Sequence, residues 1–207
     1  MKHFGDIAFT DRVEAEQKAR GSFENYAQMR KTRPAPEGFG ENEIAFIAAR
    51  DSFYMATVSE TGWPYMQHRG GPPGFLKMLS PTRIGFADYR GNRQYVSTGN
   101  LKADTRTALF LMDYSNRARL KLLGHATVAY AEDDPDLATK LQTEGQGRVE
   151  RLFTIDVEAF DWNCSQFITP RFTEAEVQGG LAKFTEEMRL LRTENAMLKA
   201  RLKKLDD

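Results

Sequence analysis

Polar residues that a packed sheet does not need gather at four places in this 207-residue chain. The first is Gln67-His68-Arg69, which runs into Gly70-Gly71-Pro72-Pro73. Missing side chains there expose backbone N–H groups and let a ligand approach closely. The second is Asp88-Tyr89-Arg90-Gly91-Asn92-Arg93-Gln94, followed by Ser97 and Asn100. A phosphate bound there would receive a charge-assisted fork from Arg93, amide donors from Asn92 or Gln94, and a hydroxyl from Ser97. The same residues would also make a hydrogen-bonded turn with solvated arginines, and the stretch carries no Walker or dinucleotide pattern. Third, Arg117 and Arg119 open a strand, where an arginine could stabilise electron density on a reduced ring such as the pyrimidine end of a flavin, or pair with Asp113. Fourth, Trp162-Asn163-Cys164-Ser165-Gln166 offers an indole and two amides, enough to cover and hydrogen-bond a flat heteroaromatic ring. Each of these residues alone also reads as a core aromatic or a loop cap.

Strand ends must hold these groups in place. Phe53–Val58 and Trp63–Arg69 flank a Ser59-Glu60-Thr61-Gly62 turn and read as a hairpin. Phe75–Leu79 and Arg83–Ala87 read as a second, and Thr107–Met112 with Arg119–Tyr130 as a third. Val149–Val157 alternates apolar and charged side chains and reads as a last strand with one wet face. Short strands paired at this spacing argue an antiparallel barrel. Helices are expected from Thr10 to about Met29 with a break at Gly21-Ser22, over Glu41–Arg50 with Ile44, Ile47 and Ala48 on its core face, and from Asp134-Pro135 to about Gln142. Residues 1–40 read as a helical arm, 41–172 as the barrel and 173–207 as a separate tail.

Composition excludes several classes. Lys plus Arg and Asp plus Glu are both 29, so no global field recruits nucleic acid or an anionic membrane, and any anion site must be a local cluster. Hydrophobic content of 41% supports one core of ordinary size. The single cysteine, Cys164, cannot form an internal disulfide, the amino terminus lacks a secretory apolar run, and no stretch is apolar for long enough to span a bilayer. The expectation is a cytoplasmic protein. His3, His68 and His125 show no metal-ligand spacing with Cys164, so no metal site is expected.

The tail carries the cleanest local pattern. With Met188, Asn195 and Leu202 at position a of a heptad, Phe184, Leu191, Leu198 and Leu205 fall at d. The g-to-e′ pairs across a parallel dimer would be Glu187 with Arg192, Glu194 with Lys199, and Arg201 with Asp206, all opposite in sign. A lone Asn at a favours a parallel, in-register dimer. The alternative is one amphipathic helix folded onto its own subunit.

Taken together, Pro64–Phe75, Asp88–Leu101, Arg117–Gly124 and Trp162–Arg171 resemble the pyridoxamine 5′-phosphate oxidase-like, flavin-mononucleotide-binding split-barrel superfamily, over roughly Glu41–Phe172. The resemblance is to a branch carrying PYxQHRGGPxGF, DYxGNRQYxSxGNL, an R-x-RL strand and WNCxQxIxxR. It implies a six-stranded antiparallel split β-barrel with peripheral helices, here with a C-terminal coiled-coil helix, forming a homodimer with FMN in grooves between the subunits. The site residues it implies are Gln67, His68, Arg69, Asp88, Asn92, Arg93, Gln94, Ser97, Asn100, Arg119, Trp162, Asn163 and Gln166, with the last three reaching the ring from the partner subunit or closing over its edge. The departures are a glutamine, Gln94, where the oxidases have a second phosphate-loop cation, and no basic cluster between Glu132 and Gly147 to hold a substrate phosphate. These argue against vitamin B6 oxidation and for a flavin-dependent oxidoreductase of another small molecule. A flavin-binding or redox-sensing module without turnover and a split barrel holding haem or a deazaflavin are the alternatives.

Overall fold

The computed structural model describes residues 1–162 and 166–206. Asn163, Cys164 and Ser165, and the side chains of Leu205 and Asp206, lie outside the described residues. The chain forms two compact units, one of residues 1–113 and 117–167, the other of 114–116 and 168 onward.

In the first unit the strands are β1 (Ser52–Val58), β2 (Pro64–Gly70), β3 (Lys77–Ser80), β4 (Arg83–Tyr89), β5 (Arg106–Asp113), β6 (Ala118–Tyr130) and β7 (Val149–Trp162). They make one antiparallel sheet in the order β2-β1-β5-β6-β7-β4-β3. The sheet therefore has seven strands and is not closed by a backbone ladder, where six strands were expected. The expected second hairpin is β3 and β4, and β3 is the added edge, a short strand with a bulge between Met78 and Ser80.

The sheet curls so that alternate residues meet in one core. Phe53, Met55, Leu109, Leu111, Leu120, Leu122, Ile84, Phe86, Phe153 and Ile155 are buried there. Phe53 of β1 contacts Phe86 of β4 edge-on at 5.4 Å, and Phe86 stacks on Phe153 at 4.9 Å. The first of these contacts joins strands that share no hydrogen bond. The tightest crossing is at Gly124, where β6 is bulged against β7 and an added Cβ would run into the Asp156 carbonyl.

The expected wet face of β7 is wet only in part: Asp156 is exposed and Glu150 half-buried, but Leu152 and Thr154 between them are buried. Leu152 and its neighbours pack under α6 (Pro135–Leu141), whose Leu141 is buried, and Arg151 points inward with Phe153 and Ile155. Asp134 caps α6 by accepting from the Leu137 N–H at 3.0 Å. Helix α4 (Glu41–Ala48) buries Ile47 as expected, but Ile44 is exposed and Phe46 takes its place against the core. Helices α1 (Phe4–Ala8), α2 (Asp11–Ala19) and α3 (Phe23–Thr32) precede it, with the break at Gly21-Ser22 as expected, where Gly21 takes φ 76° and Ser22 stands at the N-cap of α3 without a side-chain cap hydrogen bond. Helix α5 (Val96–Ala103) was not anticipated, because its Val, Thr and Gly are weak helix formers. Tertiary anchors hold it: Asn100 is buried and donates to Thr57 Oγ1 at 3.0 Å.

The second unit is dominated by helix α7 (Glu174–Asp206). Phe184, Leu191, Leu198 and Leu202 are exposed along it, Phe184 at 61%. No helix among the described residues is long and apolar enough to cross a membrane.

Replacing Gly124 by valine should cost about 1–3 kcal/mol through overpacking of the bulge. A chemical denaturation midpoint shifted by that amount, with the slope unchanged, is the expected result.

Candidate flavin-phosphate site

Side chains on β2 alternate between two faces, and that alternation divides the candidate residues. Tyr65, Gln67 and Arg69 lie opposite Thr57, Met55 and Phe53 of β1 and share the core face. Met66 and His68 lie opposite Ala56 and Tyr54 on the other face. Arg69 is buried, and its Nη1 donates to Asp88 Oδ1 at 2.8 Å. Asp88 stands directly across from Arg151 in the β4–β7 ladder, and Arg151 donates to Asp88 Oδ2 through Nε at 2.9 Å and Nη2 at 2.7 Å. One carboxylate thus serves two buried guanidiniums.

The surroundings raise the electrostatic stakes. The Arg69 guanidinium lies 4.8 Å from the Phe153 ring centre and 5.5 Å from that of Phe86. Burial pulls its pKa below the ordinary value, while Asp88 pulls it back up and Arg151 lowers it further. Arg69 Nε is buried and has no hydrogen-bond partner among the described residues. A buried unsatisfied donor costs about 1–3 kcal/mol, and more when charged. An anion beside Arg69 would add to the pull of Asp88.

These groups form one end of a cavity of about 100 Å³, whose walls include Gln67, Arg69, Asp88, Asn92, Arg93, Gln94, Tyr95, Ser97 and Arg151. Ser97, in the first turn of α5, donates to Gln67 Oε1 at 2.8 Å. The loop between β4 and α5 is bent by two non-glycine residues in the left-handed region, Arg93 at φ 60° and Tyr95 at φ 56°. Each such residue costs on the order of 1–3 kcal/mol and persists where the surroundings fix it. Here they do: Arg93 Nε donates to the Tyr95 hydroxyl at 2.9 Å, Tyr95 donates to Glu150 Oε1 at 2.9 Å, and Arg151 lies 4.5 Å from the Tyr95 ring centre. Asn92 Oδ1 accepts from the Gln94 N–H at 3.3 Å and tightens the turn.

The chain therefore brings Gln67, Arg69, Asp88, Asn92, Arg93, Gln94 and Ser97 to one cavity. Others lie elsewhere. Asn100 holds α5 on β1 and is not among the residues lining the cavity. His68 packs edge-on against Tyr54 on the opposite face. Arg119 pairs in register with Met112 and lies 5.5 Å from the Phe110 ring centre, on that same outer face, its Nε buried without a hydrogen-bond partner among the described residues. Trp162 donates to Glu43 Oε1 at 2.5 Å and meets Phe46 edge-on at 4.8 Å, fastening the end of β7 to α4. Gln166 is exposed, and Asn163 lies outside the described residues. Asp113, considered as a partner for Arg119, accepts from Arg50 Nη2 at 2.8 Å.

Sequence reasoning missed Arg151, Tyr95 and Glu150. Arg151 had a legible signal: it is in phase with Phe153 and Ile155, so an inward strand position carried a charge that had to be paired.

Residues 40–159 match the model of the pyridoxamine 5′-phosphate oxidase family. The chain belongs to that family. No curated protein matches it. Among solved structures, it is similar to HupZ of Group A Streptococcus at 14% identity and TM-score 0.46, covering 65% of this chain and 100% of that one. It is similar to General Stress Protein 26 of Bacillus anthracis at 14% and 0.44, covering 63% and 94%. A pyridoxamine 5′-phosphate oxidase-related, FMN binding protein of Nostoc punctiforme aligns at 12% and 0.40, covering 54% and 73%. The match to the oxidase family spans α4 through most of β7 and so contains every residue that lines the cavity of about 100 Å³.

The shared carboxylate predicts unequal costs. Asp88→Asn removes the carboxylate paired with Arg69 and leaves Arg151 only the longer contact to Glu150 at 3.5 Å, and should destabilise the protein by about 3–5 kcal/mol, whereas Arg151→Met leaves the Arg69–Asp88 pair intact and should cost less than half of that. Urea unfolding of the two variants checks the order, and equal costs would contradict the shared-charge account.

Proposed function

We propose that this chain is a flavin-binding oxidoreductase that takes FMN, with the flavin phosphate in the polar cavity. The observation that carries the reading is the cavity lining, in which Arg69, Arg93 and Arg151 stand with the single carboxylate of Asp88, together with the buried Arg69 Nε that has no hydrogen-bond partner among the described residues. An anion is the ligand that complements this arrangement, and the cavity of about 100 Å³ has room for a phosphate group. Arg93 would supply an outer charge, Ser97 a hydroxyl and Asn92 or Gln94 an amide. Ser97 is already held by Gln67 and Arg93 by Tyr95, so little side-chain entropy is lost on binding.

When bound, a flavin supplies the capacity to accept or donate a hydride. The chain's own contribution is orientation and charge. Arg69 and Arg151 hold the phosphate end, and Arg119 sets a positive charge on the outer face beside Phe110. A second copy of the chain would enclose the ring: Met66 at 66% exposure and Tyr54 give that outer face an apolar surface for it to cover. The heptad on α7, with Asn195 at its centre, supports the same homodimer through a parallel coiled coil.

Recovery of yellow protein with flavin absorbance is the first check; anaerobic photoreduction followed by air then separates an oxidoreductase from a flavin-binding module without turnover. Arg93→Ala should lower FMN affinity by about 1–3 kcal/mol, the range for losing a charged hydrogen bond, and an unchanged dissociation constant would refute the phosphate assignment. Truncation after Gly180 should leave a dimer in sedimentation analysis, because the barrel faces supply most of the contact; a monomer would count against that interface.

A further inference from the structure

On the outer face of the sheet lies a second cavity, of about 580 Å³, which shares no lining residue with the smaller one. The register explains its position: Ala56 of β1 stands across from Met66 of β2 and Ala108 of β5, and Ala108 across from Leu123 of β6. Two alanines at the centre of that row leave a hollow that larger side chains would fill. Val58 and Pro64, paired across β1 and β2, extend the floor. A further wall is the amino-terminal segment with Ile7 of α1, tied to β7 where the Lys2 N–H donates to the Glu158 carbonyl at 2.7 Å.

The polar side chains of this lining are already engaged. Lys2 Nζ donates to Glu158 Oε2 at 2.7 Å, and Arg106 donates to Asp104 through Nε and Nη2. Asp6 pairs with Arg30 at 3.7 Å. His125 shares a hydrogen bond with the Thr105 hydroxyl at 2.8 Å through Nδ1 and meets Glu158 at 3.3 Å through Nε2. Thr107 donates to the Ala56 carbonyl, and Thr57 accepts from Asn100. The bond from Arg106 holds the Asp104 carboxyl at a pKa of about 2, and the bond from Lys2 holds Glu158 below the usual carboxylate range, so both pairs stay charged at neutral pH. A ligand thus finds every charge of the lining paired, the reverse of the smaller cavity, where Arg69 Nε is buried without a partner among the described residues. An ion entering here would lose water and gain no counter-charge. What remains for recognition is the apolar surface of Ile7, Ala56, Val58, Pro64, Ala108 and Leu123.

We infer that this cavity is a second ligand site, which takes an uncharged, mainly apolar molecule of ring size lying on Ala56 and Ala108 beside Ile7. The inference stands apart from the flavin reading and needs no flavin to be bound. The volume lies within the roughly 300–1,000 Å³ of small-molecule sites. The paired rim favours a small molecule over a second subunit. A protein face brings polar groups that need about one hydrogen bond per 100–200 Å² of contact, and this rim has its donors and acceptors already committed.

The test is fluorescence titration of the full chain with two naphthalene dyes, uncharged Prodan and the anionic anilinonaphthalene sulfonate. Prodan should bind saturably with blue-shifted emission, about tenfold or more tighter than the sulfonate, because the unpaired ion carries a desolvation cost that the neutral ring does not. Ala108→Phe fills the floor and Ile7→Trp fills the space from the wall without changing the sheet, and each should weaken Prodan binding by about tenfold or more. Ala108→Lys sets one free cation in the cavity and should reverse the preference between the dyes. Circular dichroism melting checks that each variant is folded, and Ile7→Trp decides where a change at Ala108 disturbs its strand. Sulfonate binding as tight as that of Prodan, or Prodan binding that survives the filling variants, would overturn the inference. Prodan binding that appears only at dilutions where sedimentation shows a dimer coming apart would assign the space to a second copy and also overturn it. Competition between Prodan and FMN would place the dye in the flavin site, with the same consequence. Failure of FMN to bind would sink the flavin reading and leave this one standing.

Discussion

A carboxylate held between two guanidiniums is the interaction on which this structure depends. Strand β2 lies at one edge of the sheet and β4 next to the other, and no backbone ladder joins them. What spans the gap is side-chain contact: the stacked and edge-on rings of Phe53, Phe86 and Phe153, and at their polar limit the Arg69–Asp88–Arg151 cluster. Buried ion pairs stabilise only where desolvation is offset by geometry and further contacts. Asp88 receives three donated hydrogen bonds, and Arg69 is sandwiched near two aromatic faces. The cluster therefore closes the barrel where apolar packing ends.

The same cluster makes that end of the barrel attract anions. Arg151 also meets Glu150 at 3.5 Å, but the lining of the cavity sets Arg69, Arg93 and Arg151 with Asp88 alone, and charge there is felt more strongly than at the open surface. The protein does not cover this end with another apolar residue. It places there a loop bent by two left-handed residues and a helix whose first turn offers Ser97. Strain in the loop and unsatisfied charge beneath it are both destabilising in isolation. Their coincidence at one cavity is what a bound phosphate would explain.

Much of this was legible in the sequence, and the rest failed for identifiable reasons. Gln67, Arg69, Arg93 and Ser97 stood out because a glycine-rich turn followed or preceded them and no packing role accounted for their polarity. The hairpins were visible because turn residues and alternation agreed. Arg151 was half legible: its phase with Phe153 and Ile155 put a charge on the inward side of VERLFTIDV, but its partner, Asp88 across the ladder, is known only after folding. Helix α5 was hidden because its stability comes from Asn100 and Leu101 against the barrel and not from local propensity. Trp162 and Arg119 were read as ring contacts and not as phosphate ligands, and strand parity sets Arg119 on the outer face while Trp162 fastens the end of β7 to α4.

Strand parity also constrains how a ligand larger than phosphate could lie. Gln67 and Arg69 face the core side of β2 and Met66 and His68 the other, so a molecule with its phosphate in the cavity and an aromatic ring on the apolar outer face has to pass around the strand rather than through the sheet. That passage exists because β2 is an edge strand. Edge strands carry backbone N–H and C=O groups without a neighbouring strand, a hazard that proteins otherwise block with charge or proline. Pro64 sits at the start of β2, but Tyr65 to Gly70 leaves the rest of the edge to be used. Backbone donors and acceptors along it match the alternating N–H and C=O pattern of a pyrimidine ring, and they need no particular side chain. A ring lying against that edge would be met by main-chain groups, which no residue identity announces.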